Sequence, residues 1–501
     1  MTTTTRLTAA ALVAGAAAFL PMHLAAQAKP AAQMSEDALI AKARGIHNRA
    51  IKADTHNDIS PTNFTDTCNY TMRLTTQVNL PKMVEGGMDV SFMIAYTGQG
   101  PLTQEGYDRA YAEAVSKFDA VHRLTEKIAP DKIGLALTPA DVYRLHKAGK
   151  KIAVIGVENG YPIGYELKRV EEFYKRGGRY MSLAHNGNSQ LADSNTGERD
   201  GYLYNNGLSP LGRQVIAEMN RLGMMVDLSH PSKGANLEAI KLSKAPVIAS
   251  HSSARAVADH SRNMDDELLM ALKKNGGVVQ TVAFASYVKV DPPQRAVELA
   301  KLNADFGITA GRGGAGGGGG RGGAGGGAAA AGAARGNAAA GGAAPAAAGA
   351  GRGNGGGCPV EDPNAPAGAR GGGRGAGAAG GRGGANPAVE ALPADKRAEY
   401  DKRMAEINAK WPAATRANVK DFVDHIDYLV KKIGVEHVGI SSDFDGGGGV
   451  DGFNSAAEAF NVTLELVRRG YSERDIDAIW SGNLLRVWSE VEQVAKKLQG
   501  K

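Results

Sequence analysis

The chain has 501 residues, 43% of them hydrophobic and 22% charged, with 67 Gly, 11 His and only 2 Cys. That is too long for one small domain, too apolar for a wholly disordered chain, and too poor in Cys for a disulfide-dense scaffold or a four-thiolate zinc site. The net charge of +6 is no nucleic-acid signature, because the stretch 311–389 holds seven Arg against Glu361 and Asp362, Arg6 supplies the rest, and the remainder of the chain sums to zero.

Residues 1–28 read as a secretory signal: one positive charge at Arg6, an apolar run from Leu7 to Leu20, and the small-x-small site Ala26-Gln27-Ala28. No later segment offers about 20 uninterrupted apolar residues. The expectation is an exported protein, periplasmic or secreted, with no stable membrane insertion in its mature form.

Ser35, followed by Glu36 and Asp37, caps a first helix. Eight short apolar or β-branched runs then alternate with amphipathic stretches: Ile51 to Asp54, Asp89 to Ala95, Ile152 to Val157, Tyr180 to Ala184, Met224 to Leu228, Val247 to Ser250, Gly277 to Ala283 and His437 to Ser441. Strands alternating with helices argue for a parallel sheet, and eight is the number that closes a (β/α)8 TIM-like barrel. An open doubly wound sheet is the alternative, but no Gly-rich dinucleotide fingerprint follows the first strand. One catalytic domain is therefore expected over 29–310 and 390–501. Between its seventh and eighth strands lies a Gly/Ala/Arg-rich stretch, 311–389, holding 33 of the 67 Gly. Such a composition cannot offset its ordering entropy and reads as a disordered insertion. Its Arg-Gly-Gly triplets lack the interleaved aromatics that RNA-binding segments use, so no nucleic-acid partner is expected. Cys358 lies within it, which makes pairing with Cys68 feasible without indicating it. Ala398 to Ile407 and Ala417 to Ile433 read as helices beyond it.

Four His fall at strand ends: His56, His185, His230 and His251. In a parallel barrel those ends converge on one face, where such folds build their sites. His56 and Asp58 stand two apart, so an extended backbone sends both to one side. Glu158 ends an apolar run, and a carboxylate there needs a cationic partner, either a Lys or Arg or a pair of metal ions that it bridges. His230 and His251 end consecutive strands about 4.8 Å apart, close enough to share one zinc, although a lone strand-end His is commonly a hydrogen-bonded structural residue. His185 and Asp443 are left for oxyanion stabilisation and proton transfer, with local backbone bonding as the plainer reading. Asp445 is the second choice for acid/base work, provided the backbone there is extended. His260 reads as a surface residue.

Asp54-Thr55-His56-Asn57-Asp58, Gly156-Val157-Glu158, Asp227-Leu228-Ser229-His230, Ser250-His251-Ser252-Ser253-Ala254-Arg255, His260-Ser261-Arg262-Asn263 and Asp443-Phe444-Asp445-Gly446 together resemble the renal (membrane) dipeptidase family of zinc peptidases, in a bacterial exported form. The resemblance implies a barrel with two zinc ions: His56, Asp58 and bridging Glu158 on one, Glu158, His230 and His251 on the other. It also implies a metal-bridging hydroxide as nucleophile, His185 facing the oxyanion, Arg262 gripping the substrate carboxylate, Asp443 moving the proton, and a dipeptide as substrate. Self-association into a homodimer stays open. The loop after His185, Asn186 to Asp193, lacks the Trp associated with that family. Two rival readings remain: an amidohydrolase acting on cyclic amides or lactams, and a non-catalytic metal-containing periplasmic binding protein. Against the first, the motif is His-x-Asp rather than His-x-His, and no Lys sits at a strand end to serve as a carbamate.

Overall fold

In the computed structural model the described residues are 1, 34–308, 358–362 and 387–500. The signal-like segment and most of the Gly/Ala-rich stretch lie outside them. Among the described residues nine strands form one sheet: β1 (Ala53–Asp58), β2 (Val90–Tyr96), β3 (Ile133–Leu135), β4 (Lys151–Glu158), β5 (Gly178–Ser182), β6 (Met225–Asp227), β7 (Ile248–Ala249), β8 (Val278–Val282) and β9 (Val438–Ser441). The order β1-β2-β4-β5-β6-β7-β8-β9 is parallel throughout, and the short β3 pairs with β4 outside that path. A parallel bridge between Asn57 and Phe444, with the Asp58 N–H donating to the Phe444 carbonyl at 2.9 Å, brings β1 against the end of β9 and closes the ring. This is the expected eight-stranded barrel.

Two expectations shift. The first strand runs from Ala53 to Asp58 rather than Ile51 to Asp54, so His56 and Asp58 lie within it. Its polar letters hid it, since every residue but the last is buried. The three-residue β3 gave no sequence signal, being too short to show alternation.

Local signals set the helices. Ser35 accepts the Ala38 N–H at 3.3 Å and starts Glu36–Arg49. Asn418 and Asp421 exchange the two bonds of a capping box at the head of Val419–Ile433. The helix expected over Ala398 to Ile407 extends from Ala394 to Lys410 and packs with Pro293–Asp305 around Leu302, Tyr400 and Ile407.

Alternation along the strands divides the barrel's contents by height. Along β4, Ala153, Ile155 and Val157 join the layer between sheet and helices, while Ile152 and Val154 join the cluster inside the ring. Gly156 and Glu158 continue that inward row. At Gly156 a Cβ would stand 2.3 Å from the Tyr180 ring, so only glycine lets Tyr180 fill the middle of the barrel. Below it Phe92, Met225, Ile248 and Val278 pack on Leu484, Val487 and Trp488 of the closing helix Asn483–Leu498. Apolar side chains fill the lower interior, and ionisable groups crowd the upper.

Five residues inside the stretch assigned to the insertion, 358–362, are held against the body. Cys358 is disulfide-bonded to Cys68, 290 residues away in sequence, and Val360 bridges to Leu74.

Candidate metal centre

The strand ends and the loops after them bring His56, Asp58, Glu158, His185, His230, His251 and Asp443 together, and the loop after β7 places Arg262 against the His251 backbone. Around the Glu158 carboxylate stand four imidazole Nε2 atoms: His230 at 2.8 Å, His251 at 3.3 Å, His56 at 3.5 Å and His185 at 3.7 Å. His230 Nε2 and His251 Nε2 are 2.9 Å apart. Their atoms fall into three sets within 4.8 Å: His56, Glu158 and His251; Glu158, His185 and His230; and His56, Asp58 and Asp443. Glu158 is common to two sets, as a bridging carboxylate would be. Asp58, in contrast, groups with Asp443 rather than with Glu158. It is the last residue of β1, and its bond to Phe444 turns it toward the β9 loop. His185 lies in the ring of ligand atoms rather than behind it.

Outer hydrogen bonds fix which nitrogen faces inward. Tyr180 donates its hydroxyl to the Thr55 carbonyl at 3.0 Å, leaving its oxygen to accept from His56 Nδ1 at 3.0 Å. Ser250 Oγ donates to Asp227 at 2.6 Å and so accepts from His251 Nδ1 at 2.8 Å. His230 Nδ1 reaches the Asn186 side-chain oxygen at 3.2 Å. With Nδ1 carrying the proton in all three, each Nε2 points a lone pair at Glu158. Burial, with help from the Arg262 charge, pushes His185 and His230 well below the usual imidazole range. Burial does the same to His251. All three are therefore neutral donors.

Neutral lone pairs facing one another and a carboxylate repel, and a divalent cation among them reverses the sign. The carboxylates make the same demand. Burial drives Glu158 up to about 8, against the pull of Arg262 and Lys117. It drives Asp58 up to about 6, with Glu158 adding to the rise. Asp58 Oδ1 is buried without a hydrogen-bond partner. Imidazole and carboxylate in this mixture suit zinc or a similar borderline cation.

Backbone strain marks the same spots. Asn159, just after Glu158, has φ 76°, His230 has φ 81° and Asp443 has φ 58°. A left-handed backbone is unfavourable for residues with a Cβ and persists where the surroundings over-determine it. Asp445, at φ 62°, is also left-handed, so the extended stretch that would have aimed it beside Asp443 does not exist. Its carboxylate accepts instead from the Gln77 N–H at 2.8 Å, which removes it as a second acid/base candidate. Asp443 faces the site, and burial raises it to about 7. At Gly446 a Cβ would lie 2.4 Å from Asp443 Oδ1 and 2.5 Å from Asp58 Oδ2, so a side chain there would wedge the two acids apart.

Arg262 is buried beside the ring. Its Nη2 donates to the His251 carbonyl at 3.1 Å, its guanidinium carbon stands 5.4 Å from the Tyr287 ring centre, and its Nε has no partner. It lines a cavity with His230, Ser252 and Ser261. His260 is half-buried rather than a surface residue: its ring lies tilted against Tyr287 with centres 4.6 Å apart, and it accepts the Arg262 N–H at 3.1 Å, bracing that loop. The sequence reading missed the outer partners Tyr180, Asn186, Asp227 and Ser250. Tyr180 sits two residues before inward Ser182 on β5, a spacing that could have shown it facing the same interior.

A family model described as membrane dipeptidase, peptidase family M19, matches residues 40–501. The dipeptidase tcpJ of Claviceps purpurea is 25% identical over 435 residues, covering 86% of this chain and 73% of that protein. Among solved structures, the probable dipeptidase PvdM of Pseudomonas aeruginosa aligns with TM-score 0.67 at 28% identity, over 92% of this chain and all of that one. A metallopeptidase of Rhodobacter sphaeroides, bound to a phosphinate mimic of the dipeptide L-Ala-D-Ala, shares the fold with TM-score 0.56 at 18% identity, over 88% of this chain and 99% of that one. The family match spans nearly all of a chain whose strand ends gather four His and three acids, Glu158 among them, and the chain belongs to the membrane dipeptidase family, peptidase family M19, as a hydrolase of the metallopeptidase class.

Proposed function

We propose that the chain is a zinc-dependent dipeptidase in which Glu158 bridges two zinc ions held with His56, Asp58, His230 and His251. The observation that carries this is the set of three His, each fixed through Nδ1, whose Nε2 atoms converge on one buried carboxylate. Zinc bound by such donors supplies a water acidic enough to serve as nucleophile near neutral pH, and a Lewis acid for the carbonyl oxygen.

The chain's own residues do the rest. Arg262, with an unpaired buried Nε, offers a charge-assisted bond to the free carboxylate of a short peptide. Neutral His185 donates toward the oxygen that gains charge as the peptide carbonyl becomes tetrahedral. Asp443, raised to about 7, accepts the proton of the attacking water and returns it to the leaving amine without a large pKa mismatch at neutral pH. The dipeptide mimic bound by the Rhodobacter sphaeroides relative supports the substrate class. Export is supported by the Cys68–Cys358 disulfide, since such bonds persist in oxidising compartments. No helix among the described residues is long and apolar enough to cross a membrane.

Metal analysis of the full chain, followed by a panel of dipeptides, tests the proposal. Two zinc ions per chain with dipeptide turnover is the expected result. Zinc at that ratio without turnover would favour a binding protein, and hydrolysis of cyclic amides or lactams alone would favour the amidohydrolase reading.

A further inference from the structure

The segment 358–362 reaches the candidate site through a continuous set of contacts. Besides the disulfide to Cys68, the Pro359 carbonyl accepts the Thr75 N–H at 2.7 Å, and the Glu361 N–H donates to the Arg73 carbonyl at 2.9 Å. The Glu361 carboxylate pairs with Lys82 at 2.6 Å and Arg73 at 2.8 Å, with Lys82 and Glu361 both buried at 1% and 7% side-chain exposure. Lys82 also donates to the Thr76 carbonyl at 2.6 Å. The contacts therefore hold the chain from Arg73 to Thr76, and the next residue grips the β9 loop. Gln77 donates its N–H to Asp445 Oδ1 at 2.8 Å and accepts the Asp445 N–H on its side-chain oxygen at 2.7 Å. Asp443 lies two residues from Asp445, both in left-handed backbone, and its carbonyl accepts the Gly447 N–H at 2.8 Å. A turn with two strained residues keeps its shape only while its outer contacts hold.

We infer that the tethered segment 358–362 is a positioning element for Asp443, acting through the reciprocal Gln77–Asp445 pair. The inference rests on the reading of Asp443 as the proton carrier. The disulfide and the buried Lys82–Glu361 pair stiffen 73–76, Gln77 holds the Asp445 turn, and that turn aims the Asp443 carboxylate between Asp58 and the substrate. Opening the tether loosens the aim of Asp443 while the metal ligands on β1, β4 and the β6 and β7 ends keep their places.

The test uses the full chain with zinc bound, measured oxidised, after reduction with the non-thiol reductant tris(2-carboxyethyl)phosphine followed by its removal, and as Glu361→Gln and Gln77→Ala. Reduction and each substitution should lower kcat about fivefold or more while KM and zinc content hold, since small displacements of a reacting group are costly. Reducing Gln77→Ala should cause no further loss, because the path is already cut. Unchanged kcat on reduction and in Glu361→Gln, or losses that multiply in Gln77→Ala, would overturn the inference. Asp443→Asn separates the two claims. If it retains turnover, the proton-carrier reading fails and the inference with it; if it loses kcat while reduction, Glu361→Gln and Gln77→Ala leave kcat intact, only the positioning role fails.

Discussion

The two ends of the barrel interior are built from the same strands and obey opposite rules. At the closed end, Phe92, Val154, Met225, Ile248 and Val278 meet Trp488 and Val487, all of them buried. At the open end, further along three of those strands, come Glu158, Asp227 and Ser250, with His230 and His251 in the segments that follow. The closed end stabilises by removing apolar surface from water. The open end costs stability, because it holds carboxylates raised by burial and four residues in left-handed backbone, Asn159, His230, Asp443 and Asp445. Tyr180 is the hinge between the two regimes, with its ring stacked on Phe92 at 5.8 Å and its hydroxyl on His56. One short β-strand can thus carry a packing residue and a chemical one two positions apart.

Substitutions at the two ends should separate activity from stability. His251→Ala is expected to lose zinc and essentially all turnover, on the order of a thousandfold or more, while the fold survives. Metal analysis beside thermal unfolding checks it. Asp443→Asn should keep its metal and lose kcat by about 10²–10⁴-fold, the range of a general acid–base contribution. Retained metal with full turnover would remove its assigned role.

Trp488→Ala should do the reverse. A loss of about 3–5 kcal/mol in unfolding free energy is expected for so large a buried side chain, with kcat below the melting transition little changed. Tyr180→Phe lies between the ends: it keeps the ring and removes the bond to His56 Nδ1, so zinc affinity should fall about 10–100-fold with little change in unfolding. A chelator competition reads the first quantity and denaturant titration the second.

A pH dependence distinguishes the scaffold from the site. His47, on the first helix, donates Nε2–H to the Gly86 carbonyl at 2.8 Å and takes the Thr463 hydroxyl on Nδ1 at 2.7 Å. Burial lowers its pKa from 6.5 to about 4. The unfolded chain therefore binds this proton first. Its contribution is complete above about pH 6.5 and is lost as pH falls toward 4, by about 2–3 kcal/mol. His47→Gln should flatten that part of the stability curve, measured by denaturant titration at pH 7 and 4.5. An unchanged slope would place the acid sensitivity elsewhere.

Much of the molecule was legible in its letters. Ile152-Ala153-Val154-Ile155-Gly156-Val157-Glu158 announces a buried parallel strand with a carboxylate at its end, and β4 is that strand. The first strand, Ala53–Asp58, lies later than its apolar letters suggest, because Asp54-Thr55-His56-Asn57-Asp58 is polar. Its burial becomes intelligible only when Ser442 donates its N–H to Asp54 at 2.9 Å and Asn57 donates to Ser91 at 3.0 Å. The Gly/Ala-rich stretch gave no reason to expect that 358–362 would dock, since its anchors, Cys68, Arg73 and Lys82, lie nearly 300 residues away.

The order of strands and the residue types at their ends follow from the sequence, because apolar periodicity and local capping are encoded within a few residues. Which imidazole nitrogen faces inward, which acid joins Asp58, and what Asp445 and Cys358 hold are settled only by closure of the ring. Those outcomes depend on partners brought within 3 Å from distant parts of the chain, such as Gln77 and Asp445, which are 368 positions apart. No local pattern carries that information.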